Sequence, residues 1–289
     1  MALTPEQVAF YQENGYLLVK GMFSKEEAAA FRAEGHALID RVNSVTHSDP
    51  TWRGAREVTA VETKLLHCHD VQFYSAAYSK LIVDDRLTEA ASQIIGSPNV
   101  QLHHTKMFIK PPEKGSPFPM HQDQPFFPHD NDSMIAAIIH FDDAPEEKGC
   151  VRVVPGSHKL GPITDIEEGN HLPVEKYPIE AATSCPAEAG DVLFFSYLTI
   201  HGSGVNTSSE ARTTLLVQMR DPEDRPSIDT HRSRGQGMML RGINPVNAFL
   251  PRETAGEEVT GTRMGGNGGT MGGGITMGGN GGTMGGTMG

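Results

Sequence analysis

The chain has 289 residues with 24 basic against 36 acidic side chains, a net charge of −12, and its last 26 residues, Met264 to Gly289, hold 14 of the 32 glycines and no charged residue. An acidic chain without a basic stripe has nothing to neutralise nucleic-acid phosphates or an anionic membrane, and no apolar run approaches the roughly 18 residues of a membrane span. The chain therefore divides into a body, residues 1–263, long enough for one sizeable core, and a Gly/Met-rich tail, residues 264–289, which has no means of burying one.

Thr4-Pro5-Glu6-Gln7 combines an N-cap, a proline at the first helical position and a capping-box glutamine, and Gly15 is the matching stop. Tyr16-Leu17-Leu18-Val19 is a short apolar strand. Ser24-Lys25-Glu26-Glu27 is a second capping box, opening a helix on which Ala28, Phe31, Gly35, Leu38, Ile39 and Val42 recur at helical spacing. Further helices are predicted over 72–81 and 86–95, so that about the first 95 residues read as helical, and Gly96-Ser97-Pro98-Asn99 ends the pattern. From Val100 the chain changes to short β-type runs at 100–110, 135–141, 151–154, 192–195, 200–201 and 213–219, divided by turn-rich loops. Many short strands without intervening helices predict a mainly β fold, a sandwich or barrel over residues 96–263 preceded by helices. Cys68, Cys150 and Cys185 are an odd number without CxxC pairing, and no signal segment opens the chain, so a cytoplasmic protein is expected.

The chemistry concentrates at His121-Gln122-Asp123. If this stretch is an extended strand, side chains at i and i+2 leave the same face, and imidazole and carboxylate converge on one point. A third ligand must then come from elsewhere, and His201 is the best placed, between the buried run 192–195 and the tight turn Gly202-Ser203-Gly204. Three ligands on one face of an octahedron leave open positions, which suits non-haem Fe(II) with a co-substrate and O2, whereas structural zinc sites are closed. Arg212 opens the next strand. If its strand neighbours that of His201, its guanidinium reaches the floor of the site and binds a carboxylate bidentately.

His121-Gln122-Asp123, the run from Gly149 to His158, His201-Gly202-Ser203-Gly204-Val205-Asn206 and Arg212 together resemble the phytanoyl-CoA dioxygenase family of Fe(II)/2-oxoglutarate oxygenases, over roughly residues 3–220. The resemblance implies a double-stranded β-helix, a cupin-like jelly roll. It implies iron held by His121, Asp123 and His201, and Ser203 with Arg212 on the distal carboxylate of 2-oxoglutarate. His104 and Lys106 fall on the strand that lines the same pocket in relatives. The implied reaction couples decarboxylation of 2-oxoglutarate to succinate and CO2 with oxidation of a small-molecule substrate. Met120 stands where the family often has tryptophan and His104 where it often has glutamine, departures that bear on the substrate. Halogenating members replace the aspartate with a small residue, so Asp123 favours hydroxylation.

Two other readings stay open on the residues alone: a redox-neutral metal-dependent cupin enzyme, such as an isomerase or hydrolase, and a noncatalytic ligand-binding jelly roll. His67-Cys68-His69-Asp70 lacks a second cluster at ligand spacing and is read as structural. Phe126-Phe127-Pro128-His129 follows the ligands and suits a substrate mouth or core packing, and Arg232, Arg234 or Arg241 either meets an anionic group on the substrate or belongs to a solvated charged segment. Because every motif ends before the tail, truncation after Arg263 is expected to leave iron binding and turnover intact, which succinate release by the shortened protein checks.

Overall fold

The helical signals act as read. A computed structural model describes residues 2–43, 63–167, 169–230 and 232–246. In it α1 (Pro5–Asn14) carries both halves of the Thr4–Gln7 capping box and closes on Gly15 at φ 76°. The strand β1 (Tyr16–Val19) follows, then α2 (Lys25–Asn43), where the Glu27 amide donates to Ser24 Oγ and the Ser24 amide to Glu27 Oε2. The single helix expected over 72–81 is two, α3 (Val71–Tyr74) and α4 (Ala76–Ile82), parted by Ser75 in an extended conformation. Its hydroxyl accepts from the Ala77 amide, so the residue caps the second helix and interrupts the first. The helix α5 (Asp85–Ile95) ends at Gly96, φ 77°. Residues 67–69, expected in a helical or connecting region, are instead strand β2 (Leu66–His69). The expected boundary at residue 263 and the tail lie outside the described residues.

Nine further strands follow: β3 (Val100–Lys110), β4 (Phe118–His121), β5 (Ile135–His140), β6 (Val151–Val153), β7 (Thr183–Cys185), β8 (Val192–Ser196), β9 (His201–Ser203), β10 (Arg212–Arg220) and β11 (Met239–Arg241). They build two antiparallel sheets. The larger runs β1-β8-β5-β10-β3-β11, with β2 also on β3, and the smaller runs β4-β9-β6-β7. This is the jelly roll expected.

Strand alternation decides what each face of the larger sheet does. Met107 and Ile109 of β3, Ile135 and Ile139 of β5 and Leu215 and Val217 of β10 pack in one cluster with Leu38, Ile39, Tyr78, Leu81 and Leu87 of the helices. The helices therefore cover the outer face, each buried aliphatic side chain contributing about 1.5–3 kcal/mol. On the inner face Ala136, Leu193 and Phe195 meet Val151, Val153 and Cys185 of the smaller sheet. The rest of that inner face lines a cavity.

His140, fully buried at the end of β5, has no hydrogen-bond partner at Nε2. Burial first, and the Arg212 charge second, push its pKa down to about 3. The unfolded chain, with an ordinary histidine near pH 6.5, takes up the proton first, so stability is lost as the pH falls from about 6.5, by up to about 1.4 kcal/mol per pH unit. Urea denaturation at stepped pH is expected to show that slope, and His140→Leu to flatten it.

Candidate active site

The strand β4 ends at His121 and β9 begins at His201, and these two residues are cross-strand partners with ring centroids 4.2 Å apart. Asp123 does not extend the strand. Its backbone is helical, φ −75° and ψ −24°, and it opens a single 3-10 turn, Gln124–Phe126. The carboxylate meets the imidazoles because the chain turns there, which corrects the expectation that strand alternation brings them together. Asp123 Oδ1 lies 3.7 Å from His121 Nε2 and 3.8 Å from His201 Nε2. The three donor atoms lie within 4.8 Å of one another, and among the described residues no other group of three His, Cys, Asp or Glu does so.

The hydrogen bonds around the triad fix which atoms face inward. His121 Nδ1 donates to Pro119 O at 2.7 Å and His201 Nδ1 to Thr199 O at 2.9 Å. A carbonyl only accepts, so each Nδ1 carries the proton and each Nε2 presents a lone pair. Gln218 Nε2 donates to Asp123 Oδ2 at 2.5 Å, which leaves Oδ1 for the histidines. Burial, reinforced by His201 and opposed by Asp123, pushes the His121 pKa down to about 4, so the ring is a neutral donor at neutral pH. Two imidazole nitrogens and one carboxylate oxygen beside an open cavity fit a divalent first-row metal with free positions.

The cavity opens to solvent. Its floor is one stripe of two neighbouring strands. In β10, Arg212, Thr214, Leu216 and Gln218 stand opposite Lys110, Phe108, Lys106 and His104 of β3. All but Lys110 line the cavity directly, as do Ser203 and the three triad residues. The register slips between Gln218 and Met219, making His103 the extra residue of a bulge, and both His103 and His104 are buried as a result. Lys106 is half-buried with Nζ 5.5 Å over the Phe108 ring.

Arg212 reaches the site by a route other than the one expected. Its strand belongs to the larger sheet and that of His201 to the smaller, so the two are not neighbours, and the guanidinium crosses the gap between sheets. It donates from Nη1 to Gly149 O, while its Nε has no partner. Burial pushes its pKa down to about 10. Gly149 sits at φ 66°, where a Cβ would stand 2.3 Å from Gly204 O, so only glycine brings this carbonyl to the guanidinium. Glu210 pairs with Lys148 and not with Arg212.

Phe126 and Phe127 line the cavity, and both also pack in a cluster with Met134, Tyr197 and Leu198. The three outlying arginines do not line it. Arg232 pairs with Asp229, Arg241 with Glu89, and Arg234 lies 4.5 Å over Phe73. Lys110 and Gln218 were missed in the sequence, although each shares its strand face with a residue that was found, Lys106 and Arg212 respectively.

An open jelly roll with a His-x-Asp and a distant histidine at one cavity, and a buried arginine on its floor, defines the class of non-haem metal oxygenases that use a 2-oxo acid. The family model described as Phytanoyl-CoA dioxygenase (PhyH) matches residues 11–214, and the chain belongs to that family. It is 28% identical over 222 residues to "Probable alpha-ketoglutarate-dependent hypophosphite dioxygenase" of Stutzerimonas stutzeri, 73% of this chain and 77% of the relative. It is equally 28% identical over 251 residues to the ectoine dioxygenase of Bordetella bronchiseptica, 77% of each chain. In fold it is similar to SnoK, a non-heme alpha ketoglutarate dependent carbocyclase from nogalamycin biosynthesis, with a TM-score of 0.66, 24% identity, and 82% of this chain and 93% of that one covered. The protein is an iron- and 2-oxoglutarate-dependent dioxygenase. Among the described residues no helix is long and apolar enough to cross a membrane.

Proposed function

We propose that the enzyme hydroxylates an unactivated C–H bond of a small-molecule metabolite, converting 2-oxoglutarate and O2 to succinate and CO2 as it does so. His121, Asp123 and His201 are the iron ligands, Arg212 and Ser203 hold the distal carboxylate of 2-oxoglutarate, and His104 and Lys106 flank its path toward the metal. The observation that carries this reading is that all seven side chains line one cavity. Iron supplies the O2 chemistry when bound. The chain's own residues orient: the carbonyls of Pro119 and Thr199 aim the imidazoles, Gln218 aims the carboxylate, and the cavity wall of Phe118, Phe126, Phe127 and Phe195 excludes water. With its carboxylate in the triad, Asp123 leaves no room for a halide, which supports hydroxylation. The acidic chain and its three free, buried cysteines support a cytoplasmic enzyme without a nucleic-acid partner.

Anaerobic titration with Fe(II) and then 2-oxoglutarate is expected to raise a weak visible charge-transfer band, and admitting air to release succinate even without substrate. A redox-neutral cupin enzyme or a ligand-binding jelly roll does neither, so absence of both signals refutes the proposal. Gln218→Leu is expected to weaken Fe(II) binding about 10- to 100-fold by freeing Asp123 Oδ2, measured by competition with a chelator.

A further inference from the structure

The stretch His67-Cys68-His69, for which the sequence predicts a structural role, lies on the sheet that carries the site. It belongs to β2, an edge strand paired with β3, where His67 stands opposite Phe108 and His69 opposite Lys106. Leu66 and Cys68 pack in the cluster shared with the helices, so strand alternation turns both imidazoles to the other face, the face of the cavity. Phe108 and Lys106 line that cavity. Directly paired side chains are neighbours about 5 Å apart. His67 and His69 therefore extend the cavity floor by one strand, from Lys106 out to the rim.

This rim has donors that lack acceptors. His67 is half-buried, and its Nδ1 is buried with no hydrogen-bond partner among the described residues. Its ring meets that of the exposed His69 edge-on, with centroids 5.3 Å apart. Lys106 makes no hydrogen bond or ion pair among the described residues, its Nζ resting over Phe108. Burial, with the Lys106 charge second, holds the His67 pKa below its usual value, so at neutral pH the ring is neutral and presents one N–H. Burial also lowers the Lys106 pKa, Asp123 opposes the fall, and an arriving anion favours the charged form. Apart from Asp123, no acidic side chain among the described residues lines the cavity. An imidazole N–H and an amine without acceptors, beside a second imidazole, match a group that only accepts hydrogen bonds. We infer that His67 and His69, beside Lys106, receive an oxyanion of the substrate: the metabolite oxidised is an acid whose carboxylate, phosphate or phosphonate sits at the rim while its C–H bond reaches inward to the iron. This rests on the reading of the cavity as that of a 2-oxoglutarate-dependent hydroxylase.

The test is a binding titration on the full-length protein, loaded with Fe(II) and saturated with 2-oxoglutarate under anaerobic conditions. The probes are 3-phenylpropanoate and 3-phenylpropanamide, alike in shape, of which only the first is an anion. Their ring suits the cavity wall of Phe118, Phe126, Phe127 and Phe195. Paramagnetic Fe(II) quickens the proton relaxation of a probe that enters the cavity, which reads binding there. The carboxylate is expected to bind about 10-fold more tightly than the amide, the worth of a hydrogen bond to a charged group. His67→Phe, which keeps a ring and loses both nitrogens, is expected to erase most of that preference and leave the amide within about two-fold. His67→Gln, which restores a donor, is expected to recover most of it. Equal binding of the two probes, no binding of the carboxylate, or a His67→Phe protein that keeps the full preference overturns the inference. Should His67→Phe lose its cooperative melting, His69→Phe decides: an undiminished preference overturns the inference. The charge-transfer band raised by 2-oxoglutarate is recorded before each titration. Its absence from the unaltered protein overturns the hydroxylase reading and the inference with it, whereas its presence beside equal probe binding overturns the inference alone.

Discussion

Asp123→Ala is expected to cut succinate formation by about 1,000-fold or more, the scale on which enzymes lose a group that acts as one unit with its neighbours. Among the described residues Asp123 is the sole acidic side chain lining the cavity, beside Lys106 and Arg212. Without it two neutral imidazoles face a divalent cation in a positively charged pocket, and metal affinity falls with activity. The fold is expected to survive. Gln218 Nε2 loses its acceptor, which costs about 1–3 kcal/mol, and the removal of a buried charge offsets part of that. Dialysis against limiting Fe(II), read beside the melting temperature, separates the two effects. An Asp123→Ala protein that binds iron and releases succinate as before removes this residue from the ligand set.

The parts of the fold legible in the sequence are those whose signals are local. Capping residues such as Thr4, Ser24 and Gly15 act within one turn, and central strands such as β8, buried along its whole length, declare themselves by apolar runs. The four strands left unread, β2, β4, β7 and β11, are all at sheet edges. An edge strand is short and buries less, so its residues need no alternation. β4 even contains Pro119, which argues against a central strand but is tolerated at an edge that donates to one neighbour only.

The same distinction runs through the site. His121, Asp123 and His201 were identified by residue type and order, yet their convergence depends on the turn at Asp123 and on the pairing of β4 with β9, neither of which is local. Arg212 was found with the wrong neighbour, since membership of one sheet or the other is a property of the whole topology. Lys110 and Gln218 carried a usable signal. Each continues the even-numbered face that already held Lys106 or Arg212, and a charged or amide side chain on a face otherwise buried has to meet a partner.

Arg212→Leu is expected to raise the KM for 2-oxoglutarate about 100-fold, the worth of a bidentate charge-assisted pair of about 3 kcal/mol, with Fe(II) affinity unchanged. The same substitution is expected to leave the co-substrate-free protein as stable as before or more so. The guanidinium is buried, which pushes its pKa down to about 10, and its Nε has no partner, so its place in the folded protein is electrostatically unfavourable until an anion arrives. An aliphatic side chain, though shorter, removes that cost, as replacement of buried ionic groups by apolar ones often does. Saturating 2-oxoglutarate then separates the proteins. It stabilises the unaltered chain by RT ln(1 + [L]/Kd), about 2.7 kcal/mol at a hundred-fold excess over Kd, and the variant hardly at all at the same concentration. Melting curves with and without 2-oxoglutarate read both effects in one experiment. A variant that melts far below the unaltered protein without 2-oxoglutarate would make Arg212 a structural residue; one that gains the same stabilisation from 2-oxoglutarate would move the distal carboxylate elsewhere.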